Sequence, residues 1–85
     1  MDSYEAFREK LDQEHQWPTV YMFKFVAPSD KVEAFKDLFK DESWEAKNST
    51  AGNYTSFTIK KMLNSSQEVV DMYLKAKKIE GLIAL

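Results

Sequence analysis

The sequence predicts an α+β domain: a four-stranded antiparallel sheet, two helices on one of its faces, and a further helix at the amino end. Three observations predict it. The runs TVYMFKFVA and YTSFTIKKML are rich in β-branched and aromatic residues and alternate in polarity, as half-buried strands do. Two other segments space their apolar residues at helical intervals behind a Ser or Asp that is followed three positions later by Glu. Once the first helix is set aside, the elements follow one another as β-α-β-β-α-β, which is the split βαβ order.

Residues 3–14 place Tyr4, Phe7 and Leu11 on one narrow apolar stripe, and Asp2 with Glu5 supplies a capping box. This helix reads as an extension over residues 1–16, laid on a domain that spans 17–85. Trp17-Pro18 breaks it, because a residue before proline is held in extended geometry. The first strand follows, with Tyr21, Phe23 and Phe25 on the core face and Val20, Met22, Lys24 and Val26 on the other. In PSDKVEAFKDLFKD, Ser29 or Asp30 caps a second helix whose stripe is Val32, Phe35 and Phe39, with Leu38 beside it. SWEAKNST alternates Trp44, Ala46 and Asn48 against Glu45, Lys47 and Ser49. The next strand turns Thr55, Phe57 and Ile59 one way and Tyr54, Ser56, Thr58 and Lys60 the other. Ser65 and Glu68 open a third helix that buries Val69, Met72, Tyr73 and Ala76, and its last turn collects Lys75, Lys77 and Lys78 where the helix dipole favours cations. Gly81 ends that segment and LIAL forms the closing strand. The result is a ferredoxin-like βαββαβ domain with strand order 4-1-3-2, since the handedness of crossovers leaves few other arrangements.

Composition narrows the class. Eighty-five residues make one domain, which buries roughly 60–65% of its unfolded surface. Six Phe, four Tyr and two Trp supply the area that such a small core needs. Without cysteine there are no disulfides and no thiolate metal sites. The charged start MDSYEAFREK has no signal-peptide run, and no stretch approaches the roughly 20 apolar residues of a membrane span, so a cytoplasmic protein without a membrane partner is expected. Three Asn-X-Ser/Thr sequons, at Asn48, Asn53 and Asn64, have no meaning there. A net charge of −2 and a single arginine, Arg8, argue against nucleic acid, which calls for a basic surplus.

The stretch NSTAGNYTSFTIK turns one strand into the next at Gly52-Asn53, a two-residue hairpin signal. A loop that tight sets Ala46 opposite Ile59, Asn48 opposite Phe57 and Trp44 opposite Lys61, with Glu45 facing Lys60 and Lys47 facing Thr58. Lys61 would then lay its stem along the Trp44 indole. The corner lacks the glycine-lysine pattern of a phosphate loop, so a structural turn is the expectation.

WPTVYMFKF, STAGNYTSFTI and the tail IEGLIAL together resemble the YbeD-like family, small bacterial proteins of uncharacterised function, from about Trp17 to Leu85. The matching residues are Pro18, Phe23, Lys24, Ser49, Gly52, Tyr54, Ser56 and Leu85, and the G-x-Y-x-S core of the third strand is the most recognisable piece. Relatives often carry a lysine before that glycine. Ala51 stands there in this chain, which weighs against a basic, anion-attracting loop. The resemblance implies a fold similar to the ACT domains, which bind small metabolites, regulate enzymes and commonly dimerise.

Catalytic chemistry finds little to stand on. His15 is the only histidine and lies at a helix end among Asp12 and Glu14, where one ligand cannot make a metal site. Asp37, Asp41, Glu42 and Glu45 alternate with Lys36 and Lys40 as a solvated face does. Acylphosphatases share the fold but need a loop arginine, and Arg8 lies outside the core. RNA-recognition motifs share it too, but the third strand lacks their aromatic pattern.

The expectation is a non-enzymatic module with no cofactor and no metal, acting through the sheet face away from the helices. Its candidate residues are Met22, Lys24, Lys47, Gly52, Tyr54, Lys60 and Met62. Val20, Met22, Val26 and Met62 form its apolar patch, and Lys60 is expected to pair with Glu45. The first reading is a protein-interaction or homodimerising surface. The alternative is an ACT-like regulatory domain that senses a small anionic metabolite near Lys24, Lys47 and Gly52.

Overall fold

A computed structural model describes residues 3–49 and 51–85. The elements are α1 (Glu5–Glu14), β1 (Thr19–Pro28), a 3-10 turn (Ser29–Lys31), α2 (Val32–Leu38), β2 (Trp44–Asn48), β3 (Tyr54–Leu63), α3 (Ser66–Ala76) and β4 (Ile83–Ala84). The four strands form one antiparallel sheet in the order β2-β3-β1-β4, the ferredoxin-like arrangement predicted from the element order. β1 and β3 pair along their whole length, from Thr19 opposite Leu63 to Pro28 opposite Tyr54.

Strand alternation decides the core. Phe23, Phe25 and Ala27 of β1, with Thr55, Phe57, Ile59 and Leu63 of β3, point to one face and are buried there. Phe35 closes on them from α2 and Phe39 from its C-cap, and Val69, Met72 and Ala76 from α3. The Phe35 and Phe57 rings stack with centroids 3.8 Å apart and planes within 14°. Trp44 meets Phe57 edge-on at 5.5 Å, and Phe39 stacks on Phe35 at 4.6 Å. A core made largely of such rings removes much apolar area from water with few residues.

α1 lies on α3, in the helical layer. Phe7 packs on Tyr73 at 5.8 Å, Lys77 Nζ donates to the Tyr4 hydroxyl at 3.4 Å, and Leu11 is buried within the core cluster. Asp2, the expected cap, lies outside the described residues, and Tyr4 stands at the N-cap without a side-chain cap. Ser65 caps α3 as expected, its Oγ accepting from the Glu68 amide at 3.3 Å, while the Glu68 carboxylate accepts from the Asn64 amide. Tyr73 is half-buried and packs on the rings of Phe23 and Phe25, and Val70 is buried as well. The helix ends at Ala76, so Lys77 is its C-cap and Lys78 lies beyond it.

The start of α2 departs from expectation. Ser29–Lys31 form a 3-10 turn, and neither Ser29 nor Asp30 caps the helix. Ser29 is engaged elsewhere: its Oγ donates to the Gly52 carbonyl at 2.7 Å and its amide to the Asn53 carbonyl at 2.9 Å. Among the described residues, no helix is long and apolar enough to cross a membrane.

Truncating Phe57 to Ala is expected to cost about 3–5 kcal/mol, a large share of the roughly 4–13 kcal/mol available to a chain of this length. Urea denaturation followed by tryptophan fluorescence measures it. Burial pushes the Tyr73 phenol well above the ordinary tyrosine value, and the Tyr21 hydroxyl 3.5 Å away acts in the same direction. The unfolded tyrosine ionises near pH ~10 while the folded one stays neutral, so this contribution is complete below that pH and is lost as pH rises. Stability measured across that range should fall less steeply in Tyr73→Phe than in the native chain.

Candidate functional site

The face opposite the helices is bare, and register fixes what stands on it. Cross-strand partners share a face. The rows therefore run Met62–Val20, then Lys60–Met22, then Glu45–Thr58–Lys24, then Lys47–Ser56–Val26. β4 extends two of them: Ile83 lies beside Val26, and the Leu85 amide donates to the Lys24 carbonyl at 2.8 Å. Tyr54 with Pro28 closes the far end. Val20, Met22 and Met62 are 56%, 50% and 58% exposed, and Ile83 and Leu85 are exposed as well.

Six of the seven candidate residues stand on this surface: Met22, Lys24, Lys47, Tyr54, Lys60 and Met62. Met22, Lys60 and Met62 are neighbours in adjacent rows, as are Lys47 and Tyr54 at the opposite end. Gly52 is apart from them, at the hairpin tip. Its amide donates to the Ser49 carbonyl at 3.0 Å and its carbonyl accepts from Ser29, so neither group is offered to a ligand. Ile83 and Leu85 were missed as members of the face. Their parity follows from a pairing of β4 with β1 that a four-residue tail does not reveal.

The hairpin register is a correction. β2 sits two residues along from the position a two-residue loop would give, with Trp44 opposite Ile59, Ala46 opposite Phe57 and Asn48 opposite Thr55. The Ser49 amide donates to the Tyr54 carbonyl at 2.8 Å and closes a longer loop. The Ser49 hydroxyl accepts from the Tyr54 amide, and Thr55 Oγ1 donates to Asn48 Oδ1 at 2.9 Å. These side-chain bonds hold the wider loop that the sequence pattern alone reads as tight. A slip of two preserves which face each residue occupies, but it changes neighbours. Glu45 now faces Thr58 and makes no ion pair with Lys60, while Lys47 faces Ser56. Lys61 leaves Trp44 and binds Glu42, Nζ to Oε1 at 2.6 Å, and Lys36 lies over the indole instead at 5.8 Å.

Among the described residues the surface carries several shallow depressions. One of about 310 Å³ lies on the open face, between Lys47, Asn48, Ser49, Tyr54, Ser56 and Val26. Another of about 180 Å³ lies at the sheet edge beside Trp44, Glu45 and Lys60. A third, of about 250 Å³, is on the helical side, where Lys61 and Lys75 alternate with Glu42, Glu68 and Asp71.

This geometry belongs to a fold that hosts many functions. The chain is a member of a family described as protein of unknown function (DUF493). The match covers residues 12–85, which takes in the whole sheet, α2 and α3 and leaves out most of α1. No curated protein and no solved structure matches the chain.

Gly52 holds φ at +76°, and a Cβ there would meet nothing within 4 Å. Its requirement is conformational, so Gly52→Ala should cost about 1–2 kcal/mol although space is open, and Gly52→Asn should cost less. Chemical denaturation of the two variants checks the order.

Proposed function

We propose that the chain is a non-enzymatic cytosolic module that acts by association through its open sheet face, with a partner protein or with a second copy. The observation that carries this reading is the group formed by Val20, Met22 and Met62, each at least half exposed and standing together beside Lys24 and Lys60. Scattered apolar residues on a surface are ordinary, whereas a contiguous group rimmed by polar residues is typical of interaction sites. Placement of α1 on α3 leaves that group uncovered. Methionine suits such a surface because its unbranched side chain adapts to the shape of what it meets. The similarity to YbeD-like proteins fits this reading and adds no partner to it.

A second reading, an ACT-like regulatory domain for a small anionic metabolite, is favoured by the depression beside Lys47. Lys47, Ser49 and Tyr54 line it together, and Lys47 has no ion-pair partner among the described residues. Lys24 and Gly52 do not line it, so the site this reading needs is smaller than the one expected from the sequence.

Native isolation of the chain and of two variants separates the readings. Met22→Asp should abolish association with a partner or second copy, and Lys24→Glu should weaken it less. A metabolite at ten times its Kd would add about 1.4 kcal/mol and raise the melting temperature by roughly 6–11 °C, an effect that Lys47→Glu should remove. If both Met22→Asp and Lys24→Glu keep every association of the native chain, the sheet-face proposal is wrong.

A further inference from the structure

Charge is divided unevenly over this molecule. The chain carries −2 overall, with fourteen acidic residues against twelve basic ones. The open face reverses that balance: Lys24, Lys47 and Lys60 stand on it against Glu45 alone. None of the three lysines takes part in an ion pair among the described residues. Lys24 lies between two apolar ends, Val20 with Met22 and Met62 at one and Val26 with Ile83 at the other, while Lys60 shares the row of Met22 and Lys47 that of Val26.

We infer that the occupant of this face is an acidic, amphipathic protein segment, and that a second copy of the chain is not. This rests on the association reading above and narrows it. Two copies stacked face to face would bring unpaired lysines together, and like charges at an interface oppose it. An acidic segment supplies the missing carboxylates and lays its own apolar side chains on the methionines. A helix is the form that fits the dimensions. From Val20 to Val26 is about 20 Å at the rise of a strand, close to four helical turns of about 5.4 Å each, so one helix reaches both apolar ends. Nucleic acid suits the face less well, because no arginine stands on it and Tyr54, at its far end, is its single exposed aromatic among the described residues.

The test uses the full chain, labelled for amide NMR, and two synthetic amphipathic peptides of about 18 residues, long enough to form helix. Both carry the same leucine stripe, with Glu on the polar face of one and Lys on the polar face of the other. The Glu peptide is expected to shift the amides of β1 and β3 between Val20 and Val26 and between Ser56 and Met62. Its affinity should fall about tenfold or more in the double variant Lys24→Glu, Lys60→Glu, and should weaken with added salt as exposed charge pairs do. Both lysines are exposed, so the melting temperature of that variant serves as a check that the fold persists. The inference is overturned if the two peptides bind equally, if the shifts fall on α1 or α3, if the Glu peptide does not bind at millimolar concentration, or if oligouridine occupies the same amides more tightly. Should the Glu peptide fail while Met22→Asp still abolishes a native association, the acidic-segment inference falls alone. Should both fail, the sheet-face reading falls with it.

Discussion

Phe57 is the residue on which three elements converge, and much else follows from its being inside. It lies on β3, one of the two central strands, with Phe25 of β1 on one side and Ala46 of β2 on the other. Its ring takes Phe35 of α2 flat against it and the edge of Trp44 beside it. Because side chains alternate along a strand, holding Phe57 inward also holds Thr55 and Ile59 inward and sends Ser56, Thr58 and Lys60 outward. The same parity passes across the ladder to β1, so the composition of the open face is the complement of the aromatic core. A surface of lysines and methionines is what remains once every phenylalanine of the sheet has been turned to the helices.

That dependence explains what could be read from residues alone. The faces of β1 and β3 were legible because a period of two in a chain so rich in phenylalanine leaves one self-consistent assignment. α3 was legible because Ser65 and Glu68 mark its start and its stripe is continuous. The β2–β3 register was not, since Gly52-Asn53 carries the signature of a tight turn while the bonds that widen the loop come from Ser49, Asn48 and Ser29, the last being distant in sequence. The start of α2 failed for a related reason. Ser29 has the chemistry of a cap, but the hairpin tip competes for its hydroxyl and holds it. The Ser29–Gly52 bond spans 23 residues and the loop's own side-chain bonds five and seven, and neither kind is visible in a pattern of turn propensities. Of the candidate site, the β1 and β3 members followed from parity, and Ile83 and Leu85 did not because their pairing is tertiary.

The Ser29 bonds also tie two corners of the fold. They join the turn after β1 to the tip of the β2–β3 hairpin, so the outer part of that hairpin is anchored at its end as well as along its ladder. Glu42 and Lys61 make a comparable link between the start of β2 and the far half of β3. Together they hold a β2 strand that is otherwise an exposed edge, with Trp44 as its one substantially covered side chain. Edge strands are points where sheets pair with other chains, and the alternating Glu45 and Lys47 on β2 make this one a poor template.

Three lysines against one glutamate give the open face a local positive surplus on a chain that is negative overall. A local surplus of that kind favours the approach of an anionic group to the sheet before any side chain has touched. For the acidic partner proposed above, encounter and retention would depend on different residues. In the proposed complex the lysines would act through the field and set how often a productive approach occurs, while Val20, Met22 and Met62 would act at contact and set how long it lasts. Substitutions that leave the fold intact can therefore change the speed of an association and its lifetime separately.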